Sequence, residues 1–338
     1  MLRRQLLSRI LASFSLLYAF YYIAKQCMFE RVLDDLEITF EDFPLDYAKA
    51  LKDSVIHGAQ PTEFDYPSAF PKSIIPRRIH YIWFKDLYPS REHTTTMPSD
   101  GSQAPQLCQR YNPDYEIRVW NSTGGREFLE KEYTWFLPTF DGYTYPIQKV
   151  DALKYFVLYH FGGIYMDLDI ACRRSLDPLL DFPAWFPKAS PMGVNNDLMA
   201  STTRHPVLKR MTQQLIPYNH NWIFPYITIY RTTGPLFTSN ILQEWLTHSV
   251  NSRHTTNFPK NESRHDTFFV LPRIFYSEEY TFFGHSPGGT WHGSDVATVL
   301  WFVDHPLVTV CVLPCVAAVL ACMHMRGRRA ATLNTASK

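Results

Sequence analysis

Residues 150–169 read VDALKYFVLYHFGGIYMDLD, and the fold turns on this stretch. Val150, Leu153, Val157 and Phe161 recur at helical spacing, Gly162 and Gly163 are suited to stop a helix, and Ile164 to Leu168 has the apolar character of a buried strand. The pattern predicts a helix, a glycine break and a strand that delivers Asp167 and Asp169 at its C-terminal end. Residues two apart on a strand share a face, so the two carboxylates are expected to converge. Two anions at an apolar strand end repel one another and are poorly solvated unless a cation holds them. Mn²⁺ or Mg²⁺ suits that role, because these ions prefer hard oxygen ligands and keep open positions for substrate phosphate oxygens. An Asp-x-Asp triplet by itself is common; the helix, the glycine pair and the strand before it are what point to a site.

Outward from this stretch, short β-branched and aromatic runs at residues 78–83, 115–120 and 163–168 alternate with helical patterns. That alternation predicts an α/β domain with a mostly parallel central sheet and functional residues at strand ends. A chain of 338 residues, 46% hydrophobic and 19% charged, has ample apolar material for a large core. Its formal net charge of +1 gives no reason to expect a nucleic-acid partner. The sequence contains no GxxxxGK[ST], HExxH or GxSxG motif, and Ile170-Ala171 after Asp169 lacks the hydroxyl residue expected of an aspartyl-phosphate phosphatase. Cys108 and Cys172, the mid-chain pair among six cysteines, are compatible with a disulfide in an oxidising lumen, and their separation in sequence leaves pairing open.

Two uncharged runs bracket the domain. Residues 10–24 (ILASFSLLYAFYYIA) follow Arg3, Arg4 and Arg9 and precede Lys25, and no small-x-small cleavage site comes next, so an uncleaved transmembrane anchor is expected. Residues 307–323 (LVTVCVLPCVAAVLACM) read as a second transmembrane helix, with Arg326, Arg328 and Arg329 beyond it. The expected organisation is a cytosolic tail at 1–9, an anchor at 10–24, a stem at 25–73, a catalytic domain at 74–304, a membrane helix at 307–323 and a cytosolic tail at 324–338. Arginine at both ends places both termini in the cytosol and the middle in the lumen. The sequons Asn121-Ser122-Thr123 and Asn261-Glu262-Ser263 fall in that middle segment.

The 150–169 stretch resembles the signature of the glycosyltransferases that include the fungal initiating Golgi mannosyltransferases and the mannosyl inositol-phosphoceramide synthases. Five further stretches match in the expected order: IPRRIHYIWF (75–84), NPDYEIRVWN (112–121), GVNNDLMAS (193–201), TTGPLF (232–237) and HSPGGTWHGSD (285–295). The GVNNDLMAS, TTGPLF and TWHGSD stretches, with the C-terminal apolar run, point to the sphingolipid branch. The resemblance implies a GT-A-like nucleotide-sugar-binding fold, GDP-mannose as donor, retention of anomeric configuration, a Golgi membrane location, inositol-phosphoceramide as acceptor and a regulatory membrane subunit as partner.

It also implies roles for individual residues. Asp167 and Asp169 hold the metal, and one of His285 and His292 supplies a third ligand. His80, Trp83, Asp151, Lys154, Gly163, Tyr165, Asn196 and Trp291 form the donor-binding set, with Asp197 and His292 completing the catalytic group. Lys154 stands where the family more often has arginine, a point charge in place of a bidentate fork. For His80 the alternative is a hydrogen-bonded histidine inside a core strand, and for Asn196-Asp197 it is a capped turn. Gly289-Thr290 replaces the more usual Ser-Ser. The rival functions are transfer to protein-linked glycans and a catalytically silent scaffold subunit.

Overall fold

Strand β1 (Arg78–Ile82) is the RIHYI of IPRRIHYIWF, and both of its faces are covered, which is why its sequence is apolar almost throughout. It pairs in parallel with β2 (Glu116–Trp120) on one side and with β3 (Gly163–Met166) on the other. The computed structural model describes residues 2–57, 64–71, 73–84, 103–251, 266–276, 281–285 and 295–304. The remaining strands are β4 (Ile170–Cys172), β5 (Ala184–Pro187), β6 (Leu198–Ser201), β7 (Phe269–Leu271) and β8 (Phe283–His285). Six of these form a sheet in the order β2-β1-β3-β6-β5-β7, in which only β6 runs against its neighbours, while β4 and β8 form an antiparallel pair. The mostly parallel α/β sheet expected from the sequence is therefore present.

The helices used below are α1 (Leu2–Asp35), α2 (Leu45–His57), α3 (Gln103–Tyr111), α4 (Ser122–Glu132), α5 (Pro146–Phe161), α6 (Pro206–Gln214), α7 (Pro225–Thr232), α8 (Pro235–Asn251) and α9 (Val296–Asp304). Side chains alternate along the strands into two cores. Tyr165, Met199, Phe186 and Val270 meet Leu153 of α5, Met211 of α6 and Ile241 of α8 on one face. Ile164, Met166, Ala200 and Trp185 meet Leu51 of α2 and Cys108 of α3 on the other.

Helix α5 is buried at every position from Val150 to Leu158, the behaviour of a helix covered all round. Pro146 opens it and Gly162 closes it at φ +63°. Gly163 follows at φ +99°, and a Cβ there would stand 2.6 Å from the carbonyl oxygen of Arg78. The missing side chain is what lets β3 come alongside β1. Gly163, expected in the donor-binding set, serves here the packing of β3 on β1.

The expected stem is built into the fold instead. Phe29 and Leu33 enter one core, and Ile38, Phe43, Tyr47 and Leu51 enter the other. Ile38 N donates to Val270 O at 2.9 Å, and Val270 N donates to Leu36 O at 2.9 Å, so this segment extends the β7 edge. Apolar residues at helical spacing were masked in the sequence by the acidic residues between them.

Cys108 and Cys172 form a disulfide with Cα atoms 4.7 Å apart, joining α3 to β4. Closing a loop of 64 residues restricts the unfolded chain by about 4 kcal/mol on a chain-entropy model.

Chain contacts divide the molecule into residues 1–220 with 229–288, which carry the sheet, and residues 221–228 with 289–338. In the second unit, Tyr226 N donates to Asp295 Oδ2 at 2.8 Å, and Trp222, Ile223, Phe224, Leu300 and Trp301 are exposed. Among the described residues no helix is long and apolar enough to cross a membrane. Residues 10–24 lie within α1, and the run at 307–323 lies outside the described residues.

Gly163→Ala tests the β1–β3 approach. The variant should lose about 2 kcal/mol or more of stability, because alanine must adopt a left-handed conformation and its Cβ overlaps backbone. Denaturant or thermal unfolding measures this, and a wild-type melting curve would overturn the close-approach account.

Candidate active site

Asp167 begins where β3 ends. Its N–H donates to Asp197 O at 2.7 Å, and its carbonyl accepts from Ile170 N at 3.0 Å, which closes a turn over Asp167-Leu168-Asp169. The two aspartates are therefore gathered by a turn between β3 and β4, and not by alternation along one strand, as the spacing had suggested. Antiparallel β6 supplies a third carboxylate: Met166 pairs with Leu198, so Asp197 lies across from Asp167.

The electrostatics are those of crowded anions. Burial pushes the Asp169 carboxyl up to about 6, with the charge of Asp167 adding to it. Burial likewise lifts Asp197 to about 7, again reinforced by Asp167. Asp197 Oδ2 accepts from Asn195 Nδ2 at 2.6 Å and from the Tyr276 hydroxyl. Its Oδ1 is buried without a hydrogen-bond partner. Carboxylates raised by burial and further by a neighbouring carboxylate, one with an unclaimed buried oxygen, are a donor set that a hard divalent cation could satisfy. Among the described residues no group of three His, Cys, Asp or Glu side chains is placed to hold an ion.

Beneath the turn lies Lys154, only 2% exposed. Its Nζ stands 2.9 Å from Asp151 Oδ1 and 3.5 Å from Asp167 Oδ1, and donates to Asn196 O at 3.1 Å. Burial works to strip the ammonium of its proton, but Asp151 and then Asp167 outweigh it and hold Lys154 well above the ordinary lysine range. An ammonium has three N–H donors, and these acceptors occupy all of them. Lys154, expected to meet the donor, thus orients Asp167 from within, its three donors engaged by protein.

Several other residues expected to touch the donor share that fate. Asp151 Oδ1 also accepts from Asn196 Nδ2 at 3.3 Å, and its Oδ2 accepts from Thr233 Oγ1 at 3.1 Å. Asn196 Nδ2 additionally meets the Tyr155 hydroxyl at 3.1 Å and Thr233 O at 3.3 Å. Both side chains are buried; Asp151 has both oxygens engaged, whereas Asn196 has its Nδ2 engaged and its Oδ1 accepts from none of the described side chains. Tyr165 is buried with its hydroxyl 2.5 Å from Asp167 Oδ1, a second brace on that carboxylate.

His80 realises the core alternative. Trp120 Nε1 donates to its Nδ1 at 3.2 Å, so Nε2 carries the proton that it gives to Gly162 O at 3.0 Å. Burial drives the imidazole down to about 3 and keeps it neutral. Trp83 follows the end of β1 and is half-buried. His285 is brought close to the turn, because β8 pairs with β4 and sets His285 opposite Ile170, the residue after Asp169. Its Nε2 donates to Tyr276 O at 2.8 Å, which orients the ring and leaves Nδ1 as the nitrogen that a cation would meet. Trp291 and His292 lie outside the described residues.

Sequence reasoning passed over Tyr276, Tyr155 and Thr233. Tyr276 lies 79 residues from Asp197, and no spacing in the chain connects them.

An α/β sheet with an Asp-x-Asp turn at its strand ends fits a glycosyltransferase domain of the DXD-containing, GT-A-like class. A family model described as "Glycosyltransferase sugar-binding region containing DXD motif" matches residues 98–185. Over 281 residues the chain is 36% identical to the mannosyl phosphorylinositol ceramide synthase SUR1 of Saccharomyces cerevisiae, a match covering 82% of this chain and 67% of SUR1. It is 36% identical to inositol phosphoceramide mannosyltransferase 3 of Schizosaccharomyces pombe, over 68% of this chain and 60% of that protein. It is also 36% identical to the S. cerevisiae synthase CSH1, over 71% of this chain and 59% of that protein. The chain belongs to the family of these inositol phosphoceramide mannosyltransferases, and its matches span about 60% of the length of two of the three relatives named here.

The raised carboxylates give a linkage test. An unfolded aspartate titrates near about 3.9, so between about pH 4 and pH 7 the native site keeps protons that the unfolded chain has lost. For Asp169 and Asp197, held at about 6 and about 7, the contribution to stability therefore falls as pH rises through that window. A cation must displace those protons. Mn²⁺ should raise the Tm more at pH 7.5 than at pH 5, and Asp197→Asn should flatten the pH dependence of the metal-free protein. An equal Mn²⁺ shift at both pH values would overturn the assignment.

Proposed function

We propose that this protein transfers mannose from GDP-mannose to inositol-phosphoceramide, with retention of anomeric configuration, on the luminal side of the Golgi membrane. The observation that carries the reading is the alignment, across 82% of the chain, with a relative named for mannosyl phosphorylinositol ceramide synthesis. The site supports it. Asp167 and Asp169 would hold Mn²⁺ or Mg²⁺, and His285 stands beside them. That cation would supply positive charge to the departing diphosphate. Lys154 and Tyr165 keep Asp167 in place, so little reorganisation is needed as charge develops. Asp197, with one buried oxygen unclaimed by protein, stands across from Asp167 as a third carboxylate of the site.

The luminal placement is supported by the arginine-flanked apolar runs and by the Cys108–Cys172 disulfide, which suits an oxidising compartment. The exposed Trp222, Ile223 and Phe224 fall in the aromatic run 218–230 and suit a membrane interface.

Purified protein given Mn²⁺, GDP-mannose and inositol-phosphoceramide should yield the mannosylated lipid by mass, and Asp167→Ala or Asp169→Ala should lower turnover by about a thousandfold, several kcal/mol of barrier. Near-wild-type turnover in either variant would remove the metal-ligand assignment. Lipid extracts of cells lacking the protein should accumulate unmannosylated inositol-phosphoceramide with N-glycans unchanged; truncated N-glycans with unchanged sphingolipids would point to a protein-glycan acceptor. In sealed microsomes the middle of the chain should resist protease, and digestion without detergent would reverse the topology.

A further inference from the structure

Helix α1 continues without a break from the uncharged run at 10–24 into the catalytic unit. Its C-terminal turns are clamped to the loop that carries Asn195, Asn196 and Asp197. Glu30 Oε1 accepts from Gly193 N at 2.6 Å, and Lys188 Nζ lies 3.3 Å from Glu30 and 2.6 Å from Asp34. Helix α8 lies alongside, with Gln243 Nε2 donating to Lys25 O at 3.4 Å. The start of α8 is tied to the polar cluster under the site, since the Tyr155 hydroxyl bonds Thr238 Oγ1 at 2.7 Å.

Between these two helices runs a groove of about 510 Å³, walled by Tyr21, Ala24, Met28 and Val32 of α1 and by Leu246 and Thr247 of α8. From Tyr21 to Val32 the groove follows about 16 Å of helix, at about 1.5 Å per residue. One end opens beside the uncharged run, whose Leu17, Phe20 and Ile23 are all more than half exposed. The other end lies within a turn of Glu30 and its bond to Gly193. Lys25 stands on the flank of the groove, and no ion pair engages it among the described residues.

An apolar trough with an unpaired cation partway along it matches an amphiphile that has a hydrocarbon chain and a phosphate. We infer that this groove is the acceptor subsite: a hydrocarbon chain of an anionic inositol lipid lies at the Tyr21 end, its phosphate meets Lys25, and its headgroup is directed toward the loop at 193–197. The inference rests on the lipid-acceptor reading given above. It assigns α1 a second task, that of a slide along which a lipid headgroup rises from the bilayer to the sugar.

Two variants of the full-length protein in nanodiscs separate the parts of the site. Thr247→Trp narrows the hydrocarbon end, and should raise KM for inositol-phosphoceramide about tenfold while leaving KM for chain-free glycerophosphoinositol unchanged. Lys25→Glu removes the phosphate contact, and should raise KM for both acceptors about tenfold. The circular dichroism and melting curve of both variants should match the wild type. An equal effect of Thr247→Trp on the two acceptors, or no effect on either, overturns the subsite. If the wild type glycosylates no inositol lipid, the acceptor reading itself fails, and binding is then read directly. Inositol-phosphoceramide carrying a diazirine in its acyl chain should label peptides containing Tyr21, Ala24 or Thr247. Equal labelling by a neutral ceramide probe, or protection of the groove by the chain's own C-terminal run or a second copy, would overturn the proposal.

Discussion

The site depends on one buried cation, the ammonium of Lys154. Such a charge inside a protein is tolerable only where carboxylates and carbonyl oxygens surround it closely enough to replace water. Asp151 on the same helix provides the nearest carboxylate, Asp167 the next, and Asn196 a carbonyl. These groups belong to α5, to the turn after β3 and to the loop before β6. Meeting the needs of one side chain therefore fixes the mutual placement of three elements. Thr233 and Tyr155 extend the same network to the start of α8. Replacing the lysine by an apolar residue would leave Asp151 as an uncompensated buried anion, so the network stands or falls as a unit.

The sequence made the catalytic turn legible and its supports almost illegible. FGG followed by an apolar run and Asp-x-Asp is a local pattern, and local patterns survive in a sequence because their parts are close along the chain. Even so, period-two reasoning placed the aspartates on one strand face, whereas the structure turns the chain between Met166 and Ile170. Residues assigned to the donor by resemblance divide into two groups. Asp167, Asp169, Asp197 and His285 are gathered at the turn after β3, while His80, Asp151, Lys154, Tyr165 and Asn196 are buried side chains held by protein partners and Gly163 lies in β3 against β1. Residue identity in a motif marks a position that matters, and only burial and partners tell a contact from a brace. Tyr276 was invisible for the opposite reason, since its partner Asp197 lies far away in the chain.

The same limit applies to the segment after the first apolar run. Its acidic residues suggested a solvated stem, yet Glu30, Asp34 and Glu37 surround Lys188, while Phe29 and Leu33 between them are buried. An amphipathic helix with a charged face satisfied by a distant lysine looks, in composition, like a linker.

The disulfide bears on the cation in a way its position makes explicit. Cys172 follows Asp169 by three residues on the chain, and its bond to Cys108 fastens the downstream arm of the turn to α3. Restraining that arm lowers the cost of assembling the carboxylates, so the sulfur redox couple and cation affinity are two sides of one equilibrium. Reciprocity then requires that a bound cation make the disulfide harder to reduce by the same factor that the intact disulfide tightens the cation. Any cation that the turn binds would therefore be held more tightly by the oxidised chain than by the reduced one.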